Sequence, residues 1–190
     1  MTAYLTIFFD YNCPFCYTEV VKLQKTNIQA VWKAWRMPDN ASPPSKPEGY
    51  KDGAIRRLQE LSQTCQITIN PPERKMDTFL AHTGAKAAQA QQAFDAYHKG
   101  VFTALFRDQQ NIEDPEVLAD IAAAAGIDRA EFLGALHSEG YHDLVHRDFA
   151  EADERSVWTI PSFIGDGGEL YVHHYDQLPS VQELTALSSP

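Results

Sequence analysis

Two cysteines separated by two residues stand where an apolar run stops and a helix begins, and that junction constrains the fold more than any other feature of the chain. Residues 4–9 are apolar, aromatic and β-branched in the manner of a buried strand, and they run straight into Asp10-Tyr11-Asn12. Asn12 is a good helix cap, and Pro14 falls where a first-turn proline gives up no hydrogen bond, so a helix starts at Cys13-Pro14-Phe15-Cys16. Phe15, Val20, Val21 and Leu23 give that helix an apolar side. Thr26-Asn27 closes it, and residues 28–35 resume a strand-like content. The opening segment reads as a β-α-β unit.

Helical spacing brings residues three apart to one face, so Cys13 and Cys16 are close enough for a disulfide across the first turn. The unpaired N–H groups and the positive end of the helix dipole favour the nucleophilic thiolate of Cys13 near neutral pH. Cys16, one turn inside, is placed to resolve the mixed disulfide that Cys13 forms. Pro14 and Phe15 add neither charge nor imidazole, which leaves the redox poise open. One further cysteine, Cys65, reads as a small packed residue, and no second pair exists to complete a four-cysteine zinc site. The sequence before the motif shows no basic start, leader-length apolar stretch or cleavage site, and no apolar run is long enough for a bilayer. The expected compartment is therefore the cytoplasm, where structural disulfides are rare and a Cys-x-x-Cys points to redox or metal chemistry. A formal net charge of -10 argues against nucleic acid and anionic membranes as partners.

Residues 37–49 are proline-rich and read as a connecting loop. Helical patterning follows for roughly a hundred residues. The candidate helices are 54–65, then 77–89 and 90–107 as a continuous or broken alanine-rich pair, 116–125 behind Asp114-Pro115, 129–137 behind Asp128, and 141–154. Strand character returns at 160–165, turns at Asp166-Gly167-Gly168, and continues at 169–174, with a terminal helix over 179–187.

These residues resemble the DsbA family, in its FrnE-like branch near the 2-hydroxychromene-2-carboxylate isomerases and kappa-class glutathione transferases. The resemblance rests on Phe9-Asp10-Tyr11 before Cys13-Pro14-Phe15-Cys16, on Asp77-Thr78-Phe79-Leu80-Ala81-His82, on Leu105-Phe106 with Asn111-Ile112-Glu113-Asp114, on Val117-Leu118 and Ala125-Gly126-Ile127-Asp128, and on Ile160-Pro161-Ser162-Phe163. It covers nearly the whole chain. It implies an α/β protein with a thioredoxin fold carrying a large all-helical insertion, residues 1–47 and 156–190 forming the thioredoxin-like domain and 48–155 the inserted one, with a substrate cleft between the lobes. It also implies a cis proline at Pro161 beside the cysteines, with Ile160 offering its backbone to substrate; without the cysteine motif upstream a trans proline at a strand start would be preferred. Two positions depart from the family pattern. Ser156-Val157-Trp158-Thr159 replaces a glycine-rich approach to the proline, so bulkier groups border the cleft, and Asp77 replaces an asparagine at a helix start.

The reading that follows is a thiol-disulfide oxidoreductase with Cys13 and Cys16 catalytic, and Pro14, Phe15, Ile160 and Pro161 binding a protein or small-molecule disulfide or thiol. No metal or tightly bound cofactor is expected, with glutathione a redox partner. The alternatives are a glutathione-dependent isomerase or transferase acting on a small organic molecule, whose relatives usually hold serine at the first motif position, and a redox-silent binding module. His142 and His146 have the i, i+4 spacing of a zinc protease helix, but Asp143 stands in place of its glutamate, and a solvated helix face is the preferred reading. His173 and His174 point to opposite strand faces. His82 is read either as lining the cleft or as a helix-surface histidine, and Trp32, Trp35 and Trp158 as core or cleft wall.

Overall fold

Strand β1 (Tyr4–Phe9) is one of two inner strands of the sheet. It pairs parallel with β2 (Gln29–Ala34), Tyr4 lying opposite Gln29 and Phe9 opposite Ala34, and antiparallel with β3 (Ser162–Gly165), Leu5 lying opposite Gly165 and Phe8 opposite Ser162. β3 turns through Asp166-Gly167 into β4 (Gly168–Tyr171), giving the order β2-β1-β3-β4. The computed structural model describes residues 4–39 and 41–189; the start of the expected thioredoxin-like segment (1–3), residue 40 of the expected loop, and residue 190 lie outside the described residues. Leu5, Ile7, Phe8 and Phe9 are all buried, so β1 is covered on both faces and reads as a continuous apolar run rather than an alternating one. Phe8 packs with Trp35, Ala152 and Val157, and Phe9 meets the rings of Tyr11 and Trp32 edge-on.

Between β1 and β2 runs α1 (Pro14–Leu23), closed by the Thr26 hydroxyl donating to the Leu23 carbonyl. Helix α2 (Tyr50–Cys65) begins four residues before the expected start. Gly53 is part of it because the Tyr175 ring leaves no room for a side chain: a Cβ there would lie 1.8 Å from the Tyr175 hydroxyl. At the other end of the chain, α8 (Val181–Ser188) follows a Ser180–Glu183 capping box, and its last turn runs against the β3–β4 hairpin. Gly167 N–H donates to the Leu187 carbonyl at 2.9 Å, and a Cβ on Gly165 would fall 2.1 Å from that oxygen, so backbone meets backbone there.

The remaining helices are α3 (Phe79–Ala90), α4 (Phe94–Phe106), α5 (Pro115–Ala124), α6 (Arg129–Leu136) and α7 (Glu139–Glu154). The alanine-rich pair is broken, the chain turning at Gln92 in a left-handed conformation. Asp114 and Asp128 cap α5 and α6 by accepting from the backbone N–H groups of Glu116 and Glu131. Tyr97, Phe102, Phe106, Ile112, Leu118, Phe132 and Leu136 form the apolar interior of these helices.

The chain forms two compact units, one comprising residues up to Ile67 and from Ala150 onward, the other Thr68–Phe149. The expected boundaries lay at 48 and 155. α2 groups with the sheet because it packs on α1, with Cys65 Sγ 4.0 Å from the Thr18 carbonyl, and holds the Tyr175 ring. The last turn of α7 groups there because Ala152 belongs to the cluster around Phe8. Strand β4 is also shorter than expected. His173 and His174 give their N–H groups to Gln177 Oε1, and His174 caps a short 3-10 turn (Tyr175–Gln177), so local side-chain bonds displace the strand ladder.

Candidate active site

Cys13 is the residue that caps α1. Its backbone is extended (φ -94°, ψ 106°), its N–H donates to the Asp10 carbonyl at 3.0 Å, and its sulfur accepts the N–H of Cys16 at 3.3 Å. A sulfur thus takes the place that an Asn, Ser or Asp oxygen fills at most helix starts, and it sits among the otherwise unpaired amides of the first turn. Asn12, one residue earlier, does not cap the helix: its backbone and side-chain N–H groups donate instead to the Asp10 carboxylate. Pro14 occupies the first helical position, and Cys13, Pro14 and Phe15 are all half-buried.

Cys16 differs sharply from its partner. It is 0 % exposed, and burial pushes its thiol well above the ordinary range, reinforced by the hydrogen bond and charge of Cys13 and by the charge of Asp10, while a hydrogen bond from the Asp10 backbone works the other way. The thiols are not bonded to each other in this structure. The pair is therefore asymmetric, one sulfur at the surface of a helix start and one sealed a turn below.

The register of β1 and β3 brings a second segment to the same end of the sheet. Phe8 lies opposite Ser162, so Pro161 falls level with the exit of β1 toward the cysteines. The Ile160–Pro161 peptide bond is cis, Pro161 is buried and Ile160 is half-buried. Two bonds to Val172 hold this segment: the Thr159 hydroxyl donates to the Val172 carbonyl, and Val172 N–H donates to the Pro161 carbonyl. Trp158 stacks on His173 with ring centroids 4.3 Å apart, so the bulk that departs from the family pattern is packed against the exit of β4.

Other singled-out residues lie elsewhere. Cys65 is half-buried beside Thr18 on α1, its thiol raised first by burial. His82 is 1 % exposed and not a helix-surface residue; burial, then the Lys86 charge, lowers it to about 3. The alanine-rich periodicity around it concealed this, because small neighbours let helices close over an imidazole. His142 Nε2 lies 2.7 Å from the Leu136 carbonyl, and the rings of His142 and His146 both pack against Phe79. Among the described residues, no three His, Cys, Asp or Glu side chains gather as metal ligands would. The sequence reading passed over two carboxyl groups. Asp10 had a local signal, an aspartate two residues before an asparagine at a strand end. Glu19 had none: it is 0 % exposed within α1, 2.6 Å from Lys22 Nζ, and burial raises it to about 7.

A fold in which β-α-β and β-β-α segments flank inserted helices, with two cysteines at the first helix start, defines a thioredoxin-like protein. A profile of the DSBA-like thioredoxin domain matches residues 4–186, and the chain belongs to that family, with a thioredoxin fold carrying a helical insertion. It is 26% identical over 178 residues, 86% of this chain and 87% of the relative, to the uncharacterized protein YwbO of Bacillus subtilis (strain 168). A probable DsbA oxidoreductase from Streptomyces coelicolor has the same fold, with a TM-score of 0.77 and 20% identity, covering 97% of this chain and 88% of that one. So does a 2-hydroxychromene-2-carboxylate isomerase, with a TM-score of 0.75 and 19% identity, covering 91% and 89%. No described helix is long and apolar enough to cross a membrane.

Proposed function

We propose that the chain is a thiol-disulfide oxidoreductase of the cytoplasm that works through Cys13 and Cys16. The observation that carries this reading is the asymmetry of the pair: the Cys13 sulfur is half-buried and accepts the Cys16 N–H, while the Cys16 sulfur is fully buried behind it. The Cys13 thiolate attacks a substrate disulfide, forming a mixed disulfide and releasing the first substrate thiolate. The Cys16 thiolate then attacks the Cys13 sulfur, closing the intramolecular disulfide and releasing the second. Run backwards, the same steps oxidise a dithiol. Pro14 and Phe15 border the reactive sulfur, and Ile160 with Pro161 forms the edge on which a protein or small-molecule substrate docks. Glutathione serves as redox partner, and no tightly held cofactor takes part.

Insulin-disulfide reduction tests this. Cys13→Ser abolishes turnover, and Cys16→Ser traps the mixed disulfide on Cys13; undiminished turnover by Cys13→Ser overturns the reading. Titration against glutathione buffers gives the direction of electron flow, a couple below the cytosolic poise acting as reductant and one above it as oxidant. The likeness to the isomerase supports a second reading, glutathione-dependent isomerisation of a small organic molecule. That chemistry has no use for a resolving thiol, so retention of isomerase activity by Cys16→Ser would favour it.

A further inference from the structure

The segment that leads into β3 is supported by the sheet on one side only. β1 runs beside β3 with Phe8 opposite Ser162 and ends at Phe9, so among the described residues no strand flanks the residues before Pro161 on the side that β1 has left. On their other side the exit of β4 holds them: Val172 N–H donates to the Pro161 carbonyl at 3.3 Å, and the Thr159 hydroxyl donates to the Val172 carbonyl. These bonds set residues 158–161 alongside Val172 and His173. Val172 is buried and His173 exposed, so the two side chains point to opposite sides. Trp158 stacks on His173, with ring centroids 4.3 Å apart and planes 23° from parallel. Its half-buried indole therefore turns outward, while Ile160 packs inward on the cluster of Phe8, Trp35, Ala152 and Val157. The backbone of His173 is anchored as well: Lys46 Nζ donates to its carbonyl at 3.3 Å, and its N–H donates to Gln177 Oε1 at 3.1 Å.

We infer that Trp158, paired with His173, is a specificity-determining residue that selects extended polypeptides carrying an aromatic side chain two or three positions from the reactive cysteine. This rests on the dithiol reading above. A substrate chain that enters the place β1 has left lies residue for residue along 158–161, whichever way it runs. The side chain level with Trp158 is then two positions from the one level with Ile160 and three from the one level with Pro161. Glutathione has a single residue on each side of its cysteine and ends short of Trp158. A longer chain reaches it, and an aromatic ring laid against the indole and imidazole gains offset or edge-to-face contact that a serine side chain cannot make. The stack adds affinity for one class of substrate and leaves the sulfur exchange itself as written above.

Peptides with a central cysteine, loaded as mixed disulfides with thionitrobenzoate, test this in a Cys65→Ser background. One peptide carries phenylalanine at the second and third positions before the cysteine, one carries it at the same positions after, and one has serine at all four. Thionitrobenzoate release on attack by Cys13 gives a second-order rate for each, and the readout is the ratio of the faster phenylalanine peptide to the serine peptide. With Trp158 present that ratio is about three- to tenfold. Trp158→Ala brings it close to one, and Trp158→Phe retains most of it. A ratio close to one with Trp158 present overturns the proposal. So does a ratio that survives Trp158→Ala, because a merely structural role would lower all three rates together. Should Trp158→Ala fail to fold, His173→Ala removes the exposed half of the stack while keeping the backbone bonds to Lys46 and Gln177. The ratio then falls by about half, and an unchanged ratio overturns the proposal. Failure of the dithiol reading looks different, since release from every peptide then survives Cys13→Ser.

Discussion

Trp35 donates its indole N–H to the carbonyl of Val157 at 2.6 Å, tying the residue after β2 to the segment that leads into Thr159, Ile160 and Pro161 across 122 positions of sequence. Both partners are buried in the cluster with Phe8 and Ala152. Trp35→Phe keeps an aromatic ring but leaves that carbonyl without its donor, a loss of roughly 1–3 kcal/mol. Urea unfolding checks this: the midpoint falls while the slope stays unchanged. An unchanged midpoint would mean that another donor reaches the carbonyl.

Gly84 of α3 is tightly enclosed by Tyr97 and Phe132. A Cβ there would fall 2.2 Å from the Tyr97 hydroxyl and 2.6 Å from the Phe132 ring, so Gly84→Ala destabilises the helical unit by about 1–3 kcal/mol despite its better helix propensity. Adding Tyr97→Phe removes the hydroxyl and recovers part of the loss, which a thermal-denaturation cycle of the two variants detects as coupling.

His82 and His98 confer sensitivity to acid. Burial first, then a neighbouring positive charge, lowers His82 to about 3, and His98 also lies well below the ordinary range, whereas in the unfolded chain both take up protons near ~6.5. Below that pH the unfolded state binds protons that the folded state refuses, so stability falls on acidification, by up to ~1.4 kcal/mol per pH unit for each imidazole. His82→Gln reduces that slope in urea melts between pH 6.5 and 4. The slope is the readout, since altered packing shifts stability equally at every pH.

Glu19 works in the opposite direction. Its folded value of about 7 lies above the ~4.3 of an unfolded glutamate, so between these the folded state holds the extra proton and stability falls as pH rises. The Lys22 contact does not offset the burial, although Lys22 also bonds the Pro179 carbonyl at 2.6 Å. Glu19→Gln therefore gains on the unsubstituted protein as pH goes from 4.5 to 7, by up to ~1.4 kcal/mol per pH unit. A difference that does not vary with pH would show that this carboxyl stays ionised throughout.

Local rules made much of this architecture legible. The strand end, the first-turn proline and the i, i+3 cysteines all act within a dozen residues, and the aspartates ahead of α5 and α6 cap them through bonds two or three residues long. What the sequence concealed depends on distant partners. Gly53 belongs inside a helix only because Tyr175 arrives from the other end of the chain, and the shortening of β4 turns on Gln177 reaching back to His173 and His174. The dithiol is visible as a motif. The Asp10 neighbourhood of Cys16 is not, because strand exit and helix face meet there only once the loop has folded back.

The inner strand β1 has a consequence for how the chain assembles. β1 leaves the ribosome well before one of its two neighbours, β3, which is about a hundred and fifty residues away, with the whole Thr68–Phe149 unit emerging in between. Closing so long a loop is entropically unfavourable and slow. A nascent chain thus displays Leu5, Ile7 and the Phe8-Phe9 edge on a half-built ribbon until β3 follows, and aggregation during expression should track the delay before β3 leaves the ribosome.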